Sequence, residues 1–76
     1  MGLFEKEKKF FDPNCVTRED GLIECNPTLR EGDVERTANV VLQPESGGSY
    51  TALKLQGDKK AIEELENFLK GRIIKK

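Results

Sequence analysis

The sequence predicts an α+β fold: a small antiparallel meander of three to four strands with a C-terminal helix packed on one face. Three observations predict it. Residues 34–43 alternate apolar and polar side chains, as a half-buried strand does, and residues 50–56 follow a turn as the next strand. Residues 61–69 carry an apolar stripe at helical spacing. The chain has 76 residues, which suffices for one thin core, so residues 1–76 are read as a single domain.

Residues 1–13 form an N-terminal segment of unassigned packing. Leu3 and Phe10, and Phe4 and Phe11, are seven residues apart among Glu and Lys, which predicts a short helix over 2–11, with a strand as the alternative because Phe4 and Phe10 share parity. Asp12-Pro13-Asn14 then interrupts the chain. Residues 15–25 predict a hairpin, because Glu19-Asp20-Gly21 suits a three-residue loop with glycine in the left-handed position. That loop sets Arg18 against Leu22, Thr17 against Ile23, Val16 against Glu24 and Cys15 against Cys25. The last pair falls on a non-hydrogen-bonded position, where side chains approach most closely.

Residues 26–32, with Pro27, are predicted as a loop. In the following strand Val34, Ala38, Val40 and Leu42 share one face, and Thr37, Asn39, Val41 and Gln43 the other. Residues 44–49 are turn material. Matching the apolar faces of 34–43 and 50–56 pairs Gln43 with Tyr50, so Val40 meets Leu53 and Ala38 meets Leu55. Asp58 is the expected N-cap of the helix, whose stripe is Ala61, Ile62, Leu65, Phe68 and Leu69. Gly71 suits the C′ position. Residues 72–76 are read as a tail from which Ile73 or Ile74 folds back onto the core.

Function is less legible than fold. The chain contains no histidine, which removes the usual proton shuttle at neutral pH and the commonest metal ligand. Its net charge is −1, against the basic excess of a dedicated polyanion binder. Lysines near both ends are interleaved with glutamates, as on an exposed helix face. Ser46-Gly47-Gly48-Ser49 lacks the P-loop pattern and suits a hairpin turn. The sequence therefore names no catalytic residue, no metal ligand and no cofactor.

Two constellations stand out. Cys15 and Cys25 are read first as small buried apolar residues beside Ile23; a cross-strand disulfide is the alternative that their register allows, and a redox or metal-linked role a further one. The second is the sheet face away from the helix, where Tyr50, Lys54, Asn39 and Val41 form a candidate binding surface. An aromatic ring beside a lysine on an open sheet can stack a base and hold a phosphate. The expectation is a non-catalytic interaction module, binding a protein partner or a second copy of itself, with nucleic-acid binding as the alternative. No membrane span or secretory leader is read in the chain, and a cytoplasmic location is expected.

Overall fold

The structure, a computed structural model, describes residues 9–75. It holds seven strands and one helix: β1 Lys9–Asp12, β2 Cys15–Thr17, β3 Ile23–Cys25, β4 Thr28–Glu31, β5 Val34–Pro44, β6 Tyr50–Gly57, α1 Lys59–Phe68 and β7 Ile73–Ile74. The α+β class stands, but the expected three to four strands are corrected to seven in one sheet.

The seven segments follow from where prolines fall. β1 and β2 pair antiparallel with β4 and β3 in one unbroken register, and β4 and β3 pair in turn with the two halves of β5. That register sets Pro13 opposite Pro27. Proline has no N–H for the ladder, so both neighbouring paths are interrupted at the same level. The carbonyls still serve: Pro27 O accepts from the Ala38 amide at 3.2 Å, and Asn14 O from the Asn26 amide at 3.0 Å. Asn14 takes the left-handed conformation there, with φ 46°. The expected loop at 26–32 is thus mostly strand, and only Gly32-Asp33 turns. The expected N-terminal helix is corrected too. Lys9–Asp12 is a strand, paired from Lys9↔Glu31 to Asp12↔Thr28, while residues 1–8 of that expectation lie outside the described residues.

The Cys15–Cys25 hairpin has the register read from its loop, closed by Arg18 N donating to Leu22 O at 2.7 Å, with Gly21 at φ 87°. The register of β5 and β6 differs from the expected one. Val40 pairs with Leu55 and Ala38 with Gly57, and a bulge then shifts the pairing so that Leu42 meets Ala52 and Pro44 meets Tyr50. Leu53 is the extra residue of this bulge, half exposed instead of packed on Val40. Residues 50–55 place apolar side chains in both parities, Tyr50 and Ala52 in one and Leu53 and Leu55 in the other, so strict alternation could not locate the slip. Its physical reason lies at Gly57. A Cβ there would stand 2.6 Å from the Ala38 Cα, so only glycine tolerates this pairing. The pairing lets the Asp58 amide donate to Thr37 O at 3.0 Å and starts the helix directly over the sheet.

Asp58 caps α1 by accepting from the Lys60 amide at 2.8 Å. The helix ends in a Schellman motif: the Gly71 amide reaches Glu66 O and the Lys70 amide reaches Asn67 O. Lys70, at φ 56°, is therefore the C′ residue, and Gly71 is one position further on. The expected tail is corrected at Ile73–Ile74, which pairs parallel with Tyr50 and Thr51 and extends the sheet beyond β6. Ile73 packs on the core.

Among the described residues, two clusters make the core. At one end Leu29, Ala38 and Ala61 pack together, each at most 8% exposed. Cys25, Val40, Leu42 and Leu65 form the other, each at most 1% exposed, surrounded by the partly buried Ile23, Tyr50, Ala52, Leu55, Leu69 and Ile73.

Candidate functional site

The bulge in β6 decides the composition of both sheet faces. It carries Tyr50 and Ala52 to the core side, in line with Leu42, while Lys54 stays on the other side opposite Val41. The expected surface of Tyr50, Lys54, Asn39 and Val41 is thus divided. Asn39, Val41 and Lys54 lie together on the face away from the helix; Tyr50 lies on the opposite face. Tyr50 is therefore not the ring beside Lys54 that the base-stacking reading requires.

The face that keeps Asn39 is internally satisfied. Asn39 Nδ2 donates to Glu24 Oε2 at 3.0 Å and to Asn26 Oδ1 at 2.9 Å. Val41 sits between Glu24 and Lys54 in the cross-sheet row and is 7% exposed. Amides that already bond each other have less to offer a ligand.

Tyr50 instead lines an apolar cavity of about 140 Å³, together with Cys15, Ile23, Cys25, Leu42, Phe68 and Leu69. Its origin is a mismatch of lengths. A ten-residue helix spans about 15 Å, whereas the eleven residues of β5 span about 36 Å when extended. The helix starts low, over Ala38, and its last turn ends before the β2–β3 hairpin is covered. The helix end contributes Phe68 and Leu69 to its lining, the β2–β3 hairpin Ile23 and the two cysteines, and β6 Tyr50. Phe68 is 55% exposed, and its ring lies tilted against that of Phe11 with centroids 6.1 Å apart.

The two cysteines are joined: Cys15 and Cys25 form a disulfide across the hairpin. The favoured reading of two buried thiols is corrected, since neither cysteine is free. They also differ in environment, with Cys25 fully buried and Cys15 exposed on the edge strand. Among the described residues, no group of three or more Cys, Asp or Glu side chains is placed to hold a metal ion.

The charged groups near the helix serve its packing. Arg36 reaches the Asp58 cap at 3.1 Å and Glu31 at 3.8 Å, and Lys9 bonds Glu64 at 2.6 Å. Burial pushes the Asp58 carboxyl up, but the Lys60 and Ala61 amides and the Arg36 guanidinium together hold it below the usual value. The hydrogen bond to Glu64 raises Lys9, against the opposing effect of burial. Lys70 and Arg72 differ from these. Lys70 follows the pocket residue Leu69, the Arg72 carbonyl accepts from the Tyr50 amide, and neither side chain is in an ion pair among the described residues.

Sequence reasoning missed the pocket because it needs the bulge that turns Tyr50 inward. The available signal was the double-parity apolar run at 50–55 followed by Gly57. No described helix is long and apolar enough to cross a membrane. No protein-family model, curated protein or solved structure matches the chain.

Proposed function

We propose that the chain is a non-catalytic interaction module that grips one apolar side chain of an acidic protein segment. The pocket between the end of α1 and the β2–β3 hairpin carries this reading. At about 140 Å³ it falls short of the roughly 300–1,000 Å³ of small-molecule sites, and it suits a single leucine or phenylalanine. A buried apolar or aromatic anchor in a well-packed pocket is how protein interfaces concentrate binding energy. Lys70 and Arg72 flank the pocket along the chain and have no acidic partner among the described residues, which favours a segment with acidic residues beside its anchor.

The nucleic-acid alternative relied on Tyr50 standing next to Lys54, and that support is gone. A cytoplasmic location remains a proposal resting on the sequence, and cell fractionation checks it.

The test uses two acidic peptides, Asp-Glu-Phe-Asp-Glu and the same peptide with alanine in place of phenylalanine, titrated into isotope-labelled oxidised protein. The phenylalanine peptide is expected to shift the resonances of Ile23, Leu42, Tyr50 and Leu69, and the alanine peptide to leave them in place. Ile23→Phe, which fills the pocket from within, should abolish the response. Equal shifts with both peptides, or shifts confined to Asn39, Val41 and Lys54, would overturn the reading.

A further inference from the structure

We propose that the Cys15–Cys25 bond is a thiol-exchange site whose redox state opens and closes this pocket. The inference rests on the pocket reading above and adds its regulation. Three observations carry it. Both cysteines line the cavity, so the bond is a piece of its wall. Cys15 is an exposed residue of the edge strand and Cys25 is wholly buried, which favours attack of an incoming thiolate on the Cys15 side. The third is the weak hold on β2. It has three residues, all exposed, and among the described residues it pairs only with β3. Upstream, Pro13 and the left-handed Asn14 separate it from β1. Beyond its hairpin pairing with β3, and the flanking Asn26–Asn14 and Arg18–Leu22 backbone bonds, the covalent bond is what ties this strand to the pocket.

The exchange balances with an external dithiol as reductant. One thiolate of the dithiol bonds to the sulfur of Cys15, the Cys15–Cys25 bond breaks, and the electron pair leaves on Cys25, which takes up a proton. The second thiolate of the dithiol then attacks its own sulfur in the mixed disulfide, releasing Cys15 as a thiolate that is protonated in turn. The dithiol ends as a cyclic disulfide and the protein as two thiols. A disulfide oxidant reverses both steps. Reduction frees β2 and removes the wall that Cys15 supplies, while Cys25 stays packed with Val40, Leu42 and Leu65.

Three measurements on the full chain test this. Brief treatment with a monothiol and acid trapping, followed by peptide mass mapping, should find the adduct on Cys15; an adduct on Cys25 would overturn the proposal. Reduction with dithiothreitol should speed amide exchange at residues 15–17 by about tenfold or more while the Val40 amide keeps its protection. Unchanged exchange at 15–17, or global loss of protection, would show the bond to be a passive clamp and sink the gate. If the phenylalanine peptide binds the oxidised form, its affinity should fall about tenfold on reduction, and an unchanged affinity also counts against the gate. If it binds neither form, the pocket reading fails by itself, and the adduct and exchange results still decide the exchange site.

Discussion

The two ends of the core are closed by different means. Over Leu29 and Ala38 the helix begins on small residues. Ala61 packs on Ala38, Gly57 lets the backbones approach, and the Arg36–Asp58 pair seals the rim. At the far end the helix presents Leu65, Phe68 and Leu69, which are larger and hold a wider gap. There the chain uses a covalent cross-link, a two-residue parallel strand and an unfilled cavity. One end is finished by close packing, and the other is left with room. In a chain of this size a thin core is expected, and here the thin part is where a binding pocket and a disulfide coincide.

The comparison breaks most visibly at the cross-link. Replacing both cysteines together, Cys15→Ser with Cys25→Ser, should cost about 3 kcal/mol, from the ten-residue separation they close. Urea unfolding measures the loss. Amide exchange should place it in β2 and β3, with Leu29 and Ala38 still protected. An equal loss of protection at both ends would show that the core is one unit and not two.

Enlarging a side chain at each end gives the next contrast. Ala61 is fully buried, so Ala61→Leu should overpack the closed end and cost about 2 kcal/mol. Ile23→Phe enters the cavity instead and should change stability by less than about 1 kcal/mol in either direction. Thermal unfolding of the two variants side by side checks this. If Ile23→Phe proves the more damaging, the open end is better packed than the geometry indicates.

The contrast between the ends also explains what could be read from the sequence. The hairpin register at 15–25 was legible because a three-residue loop ending in Gly21 leaves one pairing, and Cys15 then falls opposite Cys25. The helix was legible from Asp58 through Leu69 because cap and stripe agree. Two features were hidden. Pro27 looked like a loop residue, yet its carbonyl holds the ladder while its missing N–H only divides the strand. The run 50–55 is apolar in both parities, so matching faces gave a register two residues away from the one Gly57 imposes on Ala38. Each error came from long-range contact overriding a local pattern, and the second concealed the site by turning Tyr50 the wrong way.

The helix end beside the pocket offers a smaller change. Lys70 occupies the left-handed C′ position, at φ 56°, which ordinary residues adopt at a cost and glycine does not. Lys70→Gly should raise stability by about 1 kcal/mol, partly offset by the greater freedom of glycine in the unfolded chain. The same variant removes one of the two flanking cations, so it should weaken the acidic phenylalanine peptide while the oxidised fold grows firmer. Stability and binding moving together in the same direction would show that Lys70 takes no part in recognition.

The smallest expected effect is at the closed end, in acid. Burial pushes the Asp58 carboxyl up, but the Lys60 and Ala61 amides and Arg36 outweigh it and hold the carboxyl below its ordinary value in the folded chain. A group with a depressed folded pKa contributes stability that is fully present above its unfolded value and lost as pH falls through its folded value. This contribution should therefore hold from neutral pH down to about the unfolded carboxylate range near 4, and decline below it. Asp58→Asn keeps a capping side chain but cannot ionise, so its stability should lose the part of the acid slope that Asp58 supplies. Urea midpoints for both proteins between neutral pH and acid measure the difference. Because the cap anchors the helix over Ala38 and not over the cavity, acid should loosen amide protection at Ala61 and Ile62 before it loosens Cys25 and Leu42, where the cross-link carries no titrating group. Loosening in the reverse order would place the weaker closure at the cap and exchange the roles of the two ends.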